Sequence, residues 1–225
     1  MIFWLLVIIL AYFFFSISSF GDKLILSGPP KPVSYTFYVG VFSGLGILVI
    51  PFIQFGLPSP SLFFLIIAEA LIYILALYAM FSAMERFDIT KVATTMGAIQ
   101  PIFVFALTWI FWGSQVFSKW IILAFLLLLM GSFVICFENN LKKMGAYIKI
   151  ILIASFLFSL DYIFSKIIFI QMPFLQAFIW MRMFLALFVL LFLFNKKLRS
   201  EIFGKSNVLK GKSSALFFGT QTAGG

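Results

Sequence analysis

Charged side chains are scarce in this sequence. Asp, Glu, Lys and Arg make up 10% of its 225 residues, against about 25% in soluble domains, so too few charges are present to cover a soluble fold. Histidine is absent, which excludes catalytic histidines and imidazole metal ligands. The single cysteine, Cys136, excludes an intrachain disulfide. We find no P-loop, metal-ligand cluster or nucleophile motif, and therefore expect no cofactor, no metal and no ATP-driven transport by this chain.

Hydrophobic residues, by contrast, make up 64% of the chain and include 33 phenylalanines. This composition predicts an all-α polytopic membrane protein. The net charge of +9 could suggest a nucleic-acid partner in a soluble protein. Here the basic residues lie mostly in short segments between apolar runs, so we expect the lipid bilayer as partner and no nucleic acid.

Seven apolar stretches are long enough to cross a bilayer, which takes about 20 helical residues. They predict helices near 1–21, 34–55, 61–83, 91–112, 118–137, 147–170 and 174–194. A basic segment from Asn195 to Lys212 follows, and Ser213 opens an eighth apolar stretch that is too short to span by Gly225. We therefore expect seven full helices plus the start of an eighth, in a C-terminally truncated chain.

An internal repeat is visible at an offset of 143 residues. Lys23 falls on Lys166 and Pro30 on Pro173, while the stretch from Ala11 to Ser16 matches 154–159 at four positions. A repeat of five helices has an odd number of crossings, so its second copy would be inverted in the membrane, as in many transporters. The alternative is chance similarity between two Phe-rich helices.

Several motifs resemble the EamA-type branch of the drug/metabolite transporter superfamily. They are the Lys-then-Pro pattern of Lys23 and Pro30 and of Lys166 and Pro173, the small-residue run 79–101 ending in Pro101, Gly131, and the R-x-x-x-A pattern of Arg182 and Ala186. The chain departs from that family's patterns in having Gly113-Ser114 where Gly-Glu is common, and Val39 at the repeat position of Arg182. The resemblance implies ten helices, with a first repeat at 1–138, a linker at 139–146 and a partial second repeat at 147–225. It also implies secondary transport of small organic metabolites or drugs, and a multi-pass protein of the plasma or inner membrane.

Three charged residues lie at least eight residues from both ends of their predicted spans, and a charge at the bilayer centre costs at least about 2.5–3.5 kcal/mol. Glu69 is a candidate protonatable carboxylate of the pathway, with protons as a candidate coupling ion; alternatively it is a neutral or paired carboxyl that serves packing. Asp161 is a second cavity candidate. Arg182 could pair with Asp161 across the bundle or hold an anionic group of the substrate. For Lys23 and Lys166 we expect snorkelling to the interface.

The fourth predicted helix contributes the polar candidates Thr94, Thr95 and Gln100 beside Pro101. Proline frees a backbone carbonyl inside a membrane helix, and hydroxyl and amide groups can satisfy it along a cavity wall. The alternative is helix–helix packing through small residues.

Three function classes are compatible with a membrane-spanning chain. The inverted repeat and the buried carboxylates favour a secondary transporter of small solutes over a scaffold without transport activity. A membrane-embedded lipid-modifying enzyme is the third class, and it would need clustered His, Asp or Glu near an interface. Glu85 and Asp88 are the only acidic residues close together in the sequence, so we expect no enzymatic activity.

Lys and Arg are distributed unevenly between the two sides of the predicted spans. One side carries thirteen of them, namely Lys23, Lys31, Arg86, Lys91, Lys142, Lys143, Lys149, Lys196, Lys197, Arg199, Lys205, Lys210 and Lys212, and the other carries Lys119 and Lys166. The positive-inside rule places the thirteen in the cytoplasm and the N-terminus outside. The family resemblance implies the opposite orientation.

Overall fold

The computed structural model describes residues 2–28, 31–53, 55–113, 118–137 and 145–204. Helices dominate this part of the chain, and none of the described residues forms a strand. The helices are α1 (Ile2–Leu26), α2 (Pro32–Ser43), α3 (Pro60–Arg86), α4 (Ile89–Trp112), α5 (Lys119–Phe137), α6 (Gly145–Gln171), α7 (Phe174–Leu191) and α8 (Lys196–Ile202). A 3₁₀ segment, Gly44–Phe52, continues α2, and a single 3₁₀ turn, Phe192–Phe194, follows α7.

Six helical segments are long and apolar enough to cross a membrane: Leu5–Leu26, Pro32–Phe52, Pro60–Arg86, Ile89–Trp112, Ile148–Gln171 and Phe174–Phe194. The prediction of an all-α polytopic membrane protein is thereby confirmed. The fifth predicted span corresponds to α5, whose described apolar part, Lys119–Gly131, is shorter. The predicted eighth segment lies outside the described residues, as do residues 139–144 of the predicted linker.

Helix boundaries follow local chemistry at several points. Pro32 and Pro60 each stand in the first turn of a helix. Backbone N–H groups in that turn have no acceptor within the helix, so a proline there removes no helical hydrogen bond. Gly113 ends α4 with φ of 76°, a conformation that favours glycine. Gly145, which was predicted to lie in the linker, instead begins α6. α4 continues on both sides of Pro101, as membrane helices tolerate when neighbouring groups satisfy the freed backbone.

The helices pack around α3, which contacts α6 and α7, while α4 packs on α6 and α2 on α7. α1 and α5 lie at the edge and expose many large apolar side chains, as expected for surfaces that contact lipid. The α2–α7 contact is unusually close, because a Cβ atom at Gly40 would lie 2.6 Å from Val189 Cγ1.

Alternating helix directions place the basic residues at one end of the bundle, which we call the basic face. Of the described residues, Lys23, Lys31, Arg86, Lys91, Lys149, Lys196, Lys197 and Arg199 lie there, and Lys119 and Lys166 lie at the opposite face. Two contacts confirm that separate helix ends meet at the basic face. Lys31 Nζ lies 3.8 Å from Glu201 Oε1, and Lys23 Nζ donates to the carbonyl oxygens of Met84 and Phe87.

Lys23 therefore does more than snorkel to the interface, because it binds carbonyl groups at the C-terminus of α3, where the helix dipole favours a cation. Its neighbour Asp22 is buried and accepts a hydrogen bond of 2.5 Å from the hydroxyl of Tyr35. Lys166, by contrast, is exposed at the opposite face, in agreement with the expected snorkelling.

Two apolar clusters divide the bundle into layers. The basic-side cluster includes Ile25, Tyr35, Leu77, Phe81, Val92 and Ile151. The opposite-side cluster includes Leu62, Ile66, Ile168, Met172 and Trp180. Along α6, the segment between these two clusters contains Asp161, whereas Glu69 on α3 and Arg182 on α7 lie beside residues of the opposite-side cluster. We call the region that contains these three charged residues the polar layer.

Candidate functional site

The three charged residues predicted inside spans come together in this polar layer. Glu69 is on α3, Asp161 on α6 and Arg182 on α7. Each lies eight to ten residues from the end of its helix at the opposite face. At 1.5 Å per residue this distance is about 12–15 Å, which is close to half of a hydrocarbon core of about 30 Å. The cluster is therefore near the middle of the membrane.

Glu69 and Asp161 form a carboxyl pair. Their exposed fractions are 4% and 5%, and the two carboxyl groups are close enough to influence each other electrostatically. A hydrogen bond between two carboxyl groups requires a proton on one of them, so a pair of this kind can hold a shared proton. Glu69 Oε2 and Asp161 Oδ1 are buried and have no hydrogen-bond partner among the described residues. These two oxygens are therefore polar atoms whose hydrogen bonds are not made in this conformation.

This pair overturns one sequence-based inference. Glu85 and Asp88 were the only acidic residues judged to be close, because only proximity along the chain was visible. The packing of α3 against α6 brings Glu69 and Asp161 together in space instead. The pair lies at mid-depth in the membrane, whereas the enzymes considered above act near an interface.

Arg182 lies beside the carboxyl pair but is held by aromatic rings. Its guanidinium carbon is 4.9 Å from the centre of the Phe178 ring and 5.2 Å from that of Tyr73, distances typical of cation–π contacts. The Tyr73 hydroxyl is also within hydrogen-bonding reach of the guanidinium. Arg182 contributes to the electrostatic environment of Glu69 and Asp161.

The predicted ion pair between Arg182 and Asp161 is not made in this conformation. Ion pairs with an N–O distance of 4.0 Å or less within the described part of the chain join Lys31 to Glu201 and Lys91 to Asp88. The cation is thus close to two carboxyl groups without being bound to either. Such an arrangement leaves the guanidinium able to exchange partners.

Gln100 connects α4 to the same region. Its side chain is within hydrogen-bonding reach of the hydroxyl of Tyr162, the residue that follows Asp161. Its backbone oxygen also lies 3.2 Å from Ser159 Oγ. The same hydroxyl lies 2.6 Å from the carbonyl oxygen of Ser155 within α6. The carbonyl that Pro101 leaves without its helical partner is that of Gly97, four residues earlier, so the contact of Ser159 ties α6 to α4 beside the proline without replacing the lost bond.

The candidate Thr94 bonds within its own helix. Thr94 Oγ1 donates to the carbonyl oxygen of Thr90 at 2.6 Å, a bond within α4 itself. Thr95 follows it and is half-buried. Neither threonine is among the partners of the three charged side chains. Thr94 thus satisfies its hydroxyl locally, as threonines in helices commonly do.

Sequence reasoning missed four residues of this site: Tyr73, Ser159, Tyr162 and Phe178. Two of them carried a usable signal, because Tyr73 follows Glu69 by four residues and Phe178 precedes Arg182 by four. Residues four apart lie on the same face of a helix. An aromatic residue four positions from an intramembrane charge was therefore a candidate neighbour.

The cluster contains two acidic side chains, and no group of three or more potential His, Cys, Asp or Glu metal ligands occurs among the described residues. No family model, curated protein or solved structure matches the chain.

Proposed function

We propose that the protein is a secondary transporter that moves small organic solutes across the cell membrane by alternating access. The observation that carries the proposal is the presence of Glu69, Asp161 and Arg182 on three helices near mid-depth. Ionisable residues at this depth are costly and generally line pathways for ions or substrates. Substrate sites of secondary transporters also lie near the midplane.

Each charged group has a chemical role in this proposal. The carboxyl pair carries a proton, and its two unpartnered oxygens accept hydrogen bonds from the solute. Arg182 offers a planar guanidinium that can bind an anionic group in a bidentate manner. Proton and solute would then compete for, or share, the same few atoms, which couples their movements.

The apolar layers on either side supply the gates. In the described conformation, the basic-side and opposite-side clusters lie next to the polar layer, toward the two faces of the bundle. Alternating access requires that each cluster open in turn while the other stays closed. α1 ends at the basic face and α6 at the opposite face. An inverted five-helix repeat would need these opposite directions, which alternation along the chain also gives to any two helices five positions apart.

The proposal is tested by solute-dependent proton movement in sealed vesicles. The purified protein is reconstituted with an internal pH-sensitive dye, a pH gradient is imposed, and small organic cations, anions and zwitterions are added in turn. At least one class should change the internal pH. If no member of any class moves protons or accumulates, the protein does not transport these solutes, and the scaffold function is favoured instead.

A matched pair of variants locates the coupling site. Glu69→Gln keeps the size of the buried side chain but removes the exchangeable proton, and should abolish the solute-dependent pH change. Glu85→Gln makes the same change on an exposed residue of the same helix and should leave the change intact. Undiminished coupling in Glu69→Gln, at equal insertion and monodispersity, would remove Glu69 from the mechanism.

A further inference from the structure

The short helix α8 is firmly attached to the membrane-spanning bundle. Ile202 is fully buried in a cluster with Phe37, Ile74, Leu185 and Val189. The carbonyl oxygen of Glu201 accepts a hydrogen bond of 3.0 Å from Ser34 Oγ. At its start, the Asn195 side chain accepts hydrogen bonds from the backbone N–H groups of Lys197 and Leu198. The rest of the helix surface is therefore held in a fixed orientation.

The free side of α8 lines an open depression of about 540 Å³ formed by Lys196, Arg199, Ser200, Phe203 and Gly204. Lys196, Arg199, Ser200 and Phe203 follow the spacing of one helix face. The depression thus combines two cationic side chains, a hydroxyl and an aromatic ring, and all four side chains are exposed.

The described residues that line this depression include no acidic side chain. Glu201, the one acidic residue of α8, points to the other side and is paired with Lys31. The stretch from Ile202 to Gly225 contains Lys205, Lys210 and Lys212 and no acidic residue.

The position of the depression relative to the bilayer identifies its occupant. The apolar span of α7 ends at Phe194, and α8 begins two residues later. Phe194 and Phe203 are 84% and 53% exposed, so the basic side chains stand beside apolar ones at the edge of the hydrocarbon. Anionic phospholipids present a phosphate next to acyl chains at this same depth.

We propose that the Lys196–Phe203 face of α8 binds the headgroup phosphate of an anionic phospholipid. Lys196 and Arg199 contact the phosphate, Arg199 with its planar fork of donors. Ser200 can donate a hydrogen bond, and Phe203 packs against the glycerol and the upper acyl chain. This site is separate from the intramembrane cluster and does not depend on transport activity.

Lipid binding to the purified protein in detergent tests the proposal, with native mass spectrometry as the readout. The probes are phosphatidylglycerol and phosphatidylcholine with identical acyl chains. The unmodified protein should retain phosphatidylglycerol at least fivefold more tightly. The double variant Lys196→Gln/Arg199→Gln should weaken phosphatidylglycerol binding about tenfold to thirtyfold, as expected for the loss of two charges at a membrane surface, and should leave phosphatidylcholine binding unchanged.

A charge-matched control separates this site from the general charge of the basic face. Arg86→Gln/Lys91→Gln also removes two exposed positive charges there and should keep the preference for phosphatidylglycerol. Ser200→Glu, which places a negative charge in the depression without removing a cation, should lose it. The proposal would be overturned if both double variants lost the preference for phosphatidylglycerol equally. It would also be overturned if the preference were retained in both Lys196→Gln/Arg199→Gln and Ser200→Glu.

A competition experiment with inorganic phosphate shows whether the depression binds a lipid or a free phosphate. Inorganic phosphate at low millimolar concentration should not displace phosphatidylglycerol, because it lacks the apolar contact with Phe203. If it does displace the lipid, the depression is a site for soluble phosphate, and the assignment to a lipid is wrong.

Discussion

The close approach of α2 and α7 makes the effect of Gly40→Ala calculable. A Cβ atom at position 40 would lie 2.6 and 2.7 Å from the two Cγ atoms of Val189. Val189 is fully buried, and its β-branched side chain has little rotamer freedom in a helix, so it cannot turn away. Overpacking of this kind costs about 1–3 kcal/mol. This cost offsets or exceeds the gain of about 1 kcal/mol that alanine brings to a helix interior.

The measurement is equilibrium unfolding of the detergent-solubilised protein in dodecyl sulfate, followed by helical circular dichroism. Gly40→Ala should lower the free energy of unfolding by up to about 2 kcal/mol. Gly97→Ala is the matched control, because no atom lies within 4 Å of a Cβ there, and it should be neutral or stabilising. A double-mutant cycle that combines Gly40→Ala with Val189→Ala is the second control. The two substitutions should show an interaction energy of about 0.5–3 kcal/mol in the free energy of unfolding. Equal stability of Gly40→Ala and Gly97→Ala would refute the α2–α7 packing.

Further predictions concern the basic face. Tyr35→Phe removes the buried hydrogen bond to Asp22 and should lower the free energy of unfolding by about 1.5–3 kcal/mol if the acceptor is charged; an unchanged dodecyl sulfate midpoint would contradict that bond. Lys23→Met keeps the length of the side chain but removes its contacts with the last carbonyls of α3, and should cost about 1–3 kcal/mol in the same assay. A cysteine placed at Ser206, in a Cys136→Ser background, should be protected from an impermeant maleimide in intact cells, because the positive-inside rule places the basic sequence segment from Asn195 to Lys212 in the cytoplasm. Labelling would support the orientation that the family resemblance implies.

The membrane-spanning helices could be predicted from the sequence because bilayer thickness fixes their length. An apolar run of about 20 residues has few alternatives to a helix in hydrocarbon. The predicted spans correspond to α1–α7 to within about five residues at each end when α2 and α7 are taken with the 3₁₀ segments that follow them. α8 was missed inside the basic segment. Asn195, a residue favoured at helix starts, precedes the run Lys196–Ile202 and was the available signal.

The candidate site was predictable residue by residue but not as an arrangement. The cost of an intramembrane charge singled out Glu69, Asp161 and Arg182, and all three meet in the structure. Their contacts depend on which helices pack together, and apolar periodicity does not determine that. The carboxyl pair and the contact of Arg182 with Tyr73 therefore depend on the packing of α3, α6 and α7, whereas the contact with Phe178 lies within α7. Thr94 and Thr95 were chosen for their polarity, and backbone bonding within α4 explains Thr94 instead.

The central claim is that the polar layer can be reached from both sides of the membrane. Its most direct test is the reactivity of Tyr73→Cys toward a charged, impermeant methanethiosulfonate, in a Cys136→Ser background in sealed vesicles of known orientation. Position 73 lies one turn from Glu69, beside Arg182. Leu75→Cys is the control, because residue 75 faces outward on the same helix. We predict that Tyr73→Cys is modified from either side and Leu75→Cys from neither. Modification of Tyr73→Cys from one side only, or from neither while the denatured protein reacts, would contradict alternating access.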